Sequence, residues 1–184
     1  MHKLTLHKIG NAVLFQLAWF GFVAGAARNM AWLGLIPLAL LAGHALRETA
    51  TRRADLIVGA AALVIGLLLD GTFARTGLLV YADAAPALLS APWWILAMWL
   101  AFAWTLNHSL NYLQKHLGVA ILLGIIAGPF SYYIAARAWG ALEFVGDARL
   151  TLVWLAVTWG IATGVLVLLA RRLNRAHKAT PVLA

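Results

Sequence analysis

The sequence predicts an all-α fold, a polytopic bundle of six transmembrane helices, on three observations. Hydrophobic residues make up 64% of the 184 positions and charged residues 11%, with a mean hydropathy of +0.87; a soluble domain is far more polar. Apolar runs recur at close to the roughly 20 residues that a helix needs to cross a bilayer core, and no strand-like alternation competes with them. Basic residues, finally, are shared unequally between alternate loops. The expected spans are 9–27, 31–46, 56–80, 92–113, 117–138 and 150–170, in one integral-membrane domain with a basic tail over 171–184.

The net charge of +8 comes from 14 Lys and Arg against 6 Asp and Glu. Its distribution argues for a membrane and against nucleic acid. Lys3, Lys8, Arg47, Arg52, Arg53, Lys115, Arg171, Arg172, Arg175 and Lys178 fall on one side of the expected bundle, ten in all. The other side has four, Arg28, Arg75, Arg137 and Arg149, and holds Asp83, Glu143 and Asp147. The positive-inside rule then puts both termini in the cytoplasm. The Arg171-Arg172 run is expected to attract anionic headgroups, at about 1 kcal/mol per charge. With no cysteine, disulfide, thiolate-nucleophile and thiolate-metal chemistry are excluded. The start, MHKLTLHKIGN, is charged like a signal peptide, but the segment after it runs into a tight turn and a second helix without a clear small-x-small site before polar sequence, so cleavage is the disfavoured reading.

In the first helix, Gly21 and Gly25 are spaced for close helix approach. Gln16 near mid-membrane is either an interhelical hydrogen bond or a ligand contact. Arg28 and Asn29 make a short connection to an antiparallel neighbour, which Pro37 is expected to interrupt. The loop RETATRRAD ends in Asp55, read as the N-cap of helix three. Along that helix Gly59, Gly66, Asp70 and Gly77 share a face. A carboxylate at this depth needs protonation, hydration or a partner, and Arg137 is the better-placed ion-pair candidate, with Arg75 the alternative.

The loop YADAAPALLSAPWW is expected along the outer interface, with Trp93 and Trp94 as headgroup anchors. Trp99 and Trp104 lie too deep for that role. Trp104, Asn107, His108, Asn111 and Lys115 fall at i, i+3, i+4, i+7 and i+11 and are expected as one polar stripe on a continuous fourth helix. Helix five combines Gly124, Gly128, Pro129, Ser131, Tyr132 and Arg137, a pattern expected to distort the backbone and offer main-chain polar groups to a ligand. In helix six Gly160 and Gly164 form another close-packing pair, and the tail beyond Asn174, with Pro181, is expected to be disordered.

These residues suggest an outer polar cluster, Asp70 with Arg137, Arg75 and Tyr132, and an inner one, Asn107, His108 and Asn111 with Gln16. His2, His7 and His177 are placed in terminal arms and His116 at a helix boundary. A haem bridged by His44 and His108 is the less favoured reading beside hydrogen bonding or proton relay. No metal site and no cofactor is expected. HExxH, GxSxG, P-loop and paired-carboxylate patterns are absent, so no catalytic residue is assigned and the reading leans away from an enzyme.

One set of residues resembles a known family: Asn11, Gln16 and Trp19; Asp70; Pro92-Trp93, Trp99, Phe102, Thr105-Leu106 and Ser109; and Gly128-Pro129 with Ser131-Tyr132. Together they are similar to a bacterial family of small inner-membrane proteins, domain of unknown function 2878, over nearly the whole chain. The resemblance implies a multi-pass protein of the bacterial cytoplasmic membrane and brings no activity. Its loose genomic association with lipid-modifying enzymes tilts the expectation toward lipids. The leading expectation is therefore a protein that binds or helps to process a lipid or hydrophobic small molecule, alone, as a homo-oligomer or beside a membrane-protein partner. The alternatives are a small transporter or channel using Asp70 and His108, a membrane enzyme using either as acid or base, and a structural subunit.

Overall fold

The computed structural model describes residues 2–179; Pro181 and the last residues of the tail lie outside them. Among the described residues are six α-helices and four very short strands. Helix α1 (His2–Ala26) ends in a tight reversal, where Asn29 takes a φ of 57° and the Arg28 guanidinium donates to the Ala24 carbonyl at 2.8 Å. A 3-10 turn over Ala31–Gly34 leads into α2 (Leu35–Leu46). Pro37 is the third residue of α2, in the first turn, where its missing N–H removes no helical bond. The expected mid-span interruption is thus a helix start. A Cβ on Gly21 would come within 2.8 Å of the Gly34 Cα, so the glycine is what lets α1 and α2 approach.

Helix α3 (Thr49–Arg75) begins seven residues before the expected boundary. The charged stretch read as loop contains Ala and Arg, good helix formers, and Glu48 is extended at the N-cap position. Asp55 consequently lies within the helix and caps nothing. At the far end Gly77, expected on the α3 face, lies beyond the helix with a φ of 71° and turns the chain away.

Strand β1 (Leu79–Tyr81) pairs antiparallel with β4 (Leu142–Phe144), Val80 opposite Glu143. β2 (Ala87–Leu88) and β3 (Ala91–Pro92) form a second small pair. They cover the end of the bundle opposite the basic residues, where the sequence suggested interfacial loop. Trp94 is fully buried, donates to the Ala82 carbonyl at 3.0 Å and meets Tyr81 edge-on. It pins this cap to the bundle and is no headgroup anchor; Trp93, half-buried, packs edge-on against Phe22.

Helix α4 (Trp93–Ala103) stops ten residues short of the expected boundary. Turns follow, then a 3-10 segment over Asn111–Lys115. Helix α5 (Leu117–Ile134) carries Pro129 without breaking and passes into a π-helical turn over Ala135–Trp139. Helix α6 (Ala148–Ala179) continues past the expected end at residue 170. α5 and α6 pack through small residues: a Cβ on Gly128 would overlap the Trp159 ring, and one on Gly160 would meet Ile125 Cγ1 at 2.6 Å.

Four stretches, Leu4–Ala26, Thr49–Arg75, Leu117–Trp139 and Ala148–Ala176, are long and apolar enough to cross a membrane. α2 and α4, of 12 and 11 residues, extend only about 18 and 17 Å against a hydrocarbon core of roughly 30 Å. The fold is all-α in character, with four full-length helices and two short ones. Leu122, Ile126, Val153 and Ile161 point outward, each more than half exposed, as a lipid-facing surface requires.

Candidate functional site

Asp70 ties together the half of the bundle away from the basic residues. It is 1% exposed and accepts from three neutral donors on three other elements. The Trp99 indole N–H (α4) donates to Oδ2 at 2.6 Å. The Tyr81 hydroxyl (β1) donates to Oδ1 at 2.7 Å, and the Tyr132 hydroxyl (α5) donates to the same oxygen. Gly66, one turn earlier on α3, makes the first of these bonds possible: a Cβ there would overlap Cδ1, Cγ and Nε1 of Trp99, so only a bare backbone lets the indole lie flat and reach the carboxylate. Burial, and then the Asp70 carboxylate beside it, push the Tyr81 phenol well above its ordinary 10.0, which keeps it a donor.

The expected ion pair is absent. Arg137 is exposed, and Arg75 donates its Nε–H to the Gly71 carbonyl at 3.3 Å. Tyr132 faces Asp70 from α5, whereas Arg137 lies beyond the end of α5 in the π-helical turn, on a surface turned away from the carboxylate.

The side of this anchor that faces α1 opens into a cavity of about 460 Å³, within the usual range for small-molecule sites. Phe15, Gln16 and Trp19 of α1, Met98, Trp99 and Phe102 of α4, Ala127, Ser131 and Tyr132 of α5 and Trp159 and Thr163 of α6 contribute to the wall. Trp99 and Trp159 stack with ring centroids 4.4 Å apart. Among the described residues, no Lys, Arg, His, Asp or Glu lines it. Its polar atoms are few. Ser131 donates to the Gly128 carbonyl at 2.7 Å, whereas the buried Thr163 hydroxyl has no partner among the described residues. Gln16 is exposed and hydrogen-bonds to no described residue, so the interhelical bond expected of it is not formed. Gly124 and Gly128 are filled by α6, chiefly Trp159 and Thr163, and do not present free main chain.

A second polar centre lies at the basic end. The expected stripe on one helix face does not exist, because α4 ends at Ala103 and its polar successors find side-chain partners in place of helical ones. Asn11 organises the break: it donates to the Trp104 carbonyl at 3.1 Å and accepts from the Ser109 hydroxyl at 2.6 Å. Asn107 donates to Asp55 Oδ1 at 2.8 Å, and His108 Nε2 lies 3.1 Å from Asp55 Oδ2. Asn107 in turn accepts from Gln114 and from Asn174, each at 2.8 Å. Asn111 stands apart and accepts from Lys8 at 3.0 Å. Trp104 is buried with its indole N–H unpartnered among the described residues, Lys115 is exposed, and Gln16 belongs to the cavity.

Asp55 and His7 are the participants that sequence reasoning misplaced. A signal for Asp55 was present: Asp55, Gly59, Gly66 and Asp70 fall at offsets 0, 4, 11 and 15, the same α3 face continued one turn toward the basic end. His7 and Asn11 are likewise i, i+4 on α1. His7 sits between His44, stacked at 4.1 Å, and His108, with ring nitrogens 3.1 Å apart, which fills the space a haem between His44 and His108 would need. No group of three or more metal-ligating side chains is found among the described residues.

Neither a curated protein nor a solved structure matches the chain. A family match covers residues 8–165 and so takes in Asn11, the α3 face with Asp55 and Asp70, the broken end of α4 and the cavity wall. The chain belongs to that family, described as protein of unknown function (DUF2878).

Proposed function

We propose that this membrane protein binds an uncharged lipid or other hydrophobic small molecule in the cavity between α1, α4, α5 and α6. The observation that carries the reading is the cavity wall: aromatic and aliphatic surface with, among the described residues, no charged side chain. Such a wall suits an apolar body, and it disfavours a phosphate headgroup, which no cation among the lining residues would meet. The six helices are membrane passes in this reading, α2 and α4 being short ones, in a bacterial inner membrane with both termini cytoplasmic. The ten-to-four division of basic residues supports that orientation.

Two alternatives fit less well. Conduction calls for a polar path between the two centres, but Asp55 and Asp70 are fifteen residues apart, about 22 Å along α3, and the face between them is covered by Leu100, Trp104 and Trp99. A purely structural subunit calls for glycine faces awaiting a partner, whereas Gly21, Gly66, Gly128 and Gly160 are already met within the chain.

Ala127→Trp fills the cavity from an exposed position, and Thr163→Val removes the hydroxyl at constant shape. Mass spectrometry of small molecules co-purifying at equal folded yield tests both. A neutral species enriched with wild type is expected to fall about tenfold or more with Ala127→Trp and to stay within about twofold with Thr163→Val, whose hydroxyl is sealed against Gly124 of α5. The same species at the same level in all three preparations would overturn the assignment.

A further inference from the structure

We propose that His7, His108 and Asp55 form a one-ended proton-binding relay at the basic end of the bundle, separate from the cavity. The hydrogen bonds assign the neutral-state protons. His44 Nε2 lies 3.0 Å from the His7 carbonyl, which only accepts, so that nitrogen carries hydrogen. Asp55 accepts from Asn107 at one oxygen and from His108 Nε2 at the other, so His108 carries its hydrogen on Nε2. Its Nδ1 is then bare and accepts from His7 Nε2–H at 3.1 Å. What remains is His7 Nδ1, a basic nitrogen on a half-buried ring with no partner among the described residues.

Proton uptake balances without moving a heavy atom. An N–H bond forms at His7 Nδ1, the His7 Nε2–H bond breaks, and that proton bonds to His108 Nδ1. His7 is neutral again, with its hydrogen on the other nitrogen. His108 is now an imidazolium 3.1 Å from the Asp55 carboxylate. Before uptake that carboxylate, 0% exposed, is held by neutral donors alone; afterwards it is ion-paired, the arrangement that favours a charge in such a place.

The relay ends there. The second Asp55 oxygen is covered by the Asn107 amide, whose own oxygen accepts from Gln114 and Asn174, and amides hand no proton on. The site therefore takes and returns protons at one face and conducts none across the bundle. Other titratable or charged groups face His7 from neighbouring elements: His44 on α2 and Glu48 before α3, and Lys8 beside it, held by Asn111.

Ring-nitrogen NMR on the full chain, labelled with ¹⁵N-histidine in nanodiscs and titrated with pH, tests this. His108 is expected as the Nε2–H tautomer at high pH, and His7 and His108 are expected to take up one proton jointly on acidification. Asp55→Asn is expected to convert His108 at high pH from the Nε2–H to the Nδ1–H tautomer. This variant keeps its bonds, because the new amide accepts from Asn107 and donates to His108, which switches tautomer. His7→Asn, on the half-buried ring, is expected to reduce the His108 titration to a simple single-site curve, and it gives the decision even where Asp55→Asn folds poorly. A His108 titration unchanged by His7→Asn, or an Nδ1–H tautomer in wild type, would overturn the relay.

Discussion

Asp70→Ala is expected to destabilise the protein by about 3 kcal/mol or more, because it strips the acceptor from three buried donors at once, each worth about 1–3 kcal/mol when orphaned. Tyr81, Trp99 and Tyr132 would all lose the same partner. The measurement is thermal or denaturant unfolding in detergent, read against Arg137→Ala. The arginine variant is expected to fall within about 0.5 kcal/mol of wild type, as exposed substitutions do. Equal losses for the two would mean that Asp70 is held by the arginine after all.

Gly66→Ala is expected to cost about 1–3 kcal/mol although it adds one methyl group. That methyl overlaps the Trp99 ring, which cannot slide away: its N–H is fixed on Asp70 and its face is stacked on Trp159. Moving the indole breaks the Asp70 bond, so the double variant with Asp70→Ala is expected to lose less than the sum of the singles. Strict additivity would separate the glycine from the anchor. Unfolding of the three variants beside wild type decides this.

Much of this architecture was legible from composition and periodicity, and the parts that were not have identifiable causes. The helical class and the Gly59–Gly66–Asp70 face follow from spacing, the family resemblance rests on the residues that carry it and holds over residues 8–165, and Tyr132 meets Asp70 as the outer cluster has it. The sequence pattern overextends the fourth helix, because Trp104–Lys115 keeps a 3.6-residue period although α4 ends at Ala103. Asn11 and Asp55 override that pattern from 93 and 52 residues away in sequence. Equating charge with loop makes Asp55 a cap, although Arg and Ala carry α3 about two turns further back. The ion pair to Arg137 followed from depth alone. Depth does not record that Tyr132, five residues earlier, already occupies the face toward Asp70, nor that indole and phenol donors serve a carboxylate as well as a guanidinium does.

The central claim is that the cavity, and not the outer surface, is where a hydrophobic molecule settles. Photolabelling with a neutral long-chain diazirine probe in nanodiscs, followed by peptide mapping, tests it most directly. The expected result is labelling at Gln16, Phe102 and Ser131 that disappears with Ala127→Trp, while labelling at lipid-facing Leu122, Ile126 and Ile161 persists in both. Label confined to the outward-facing residues, unaltered by Ala127→Trp, would contradict the account.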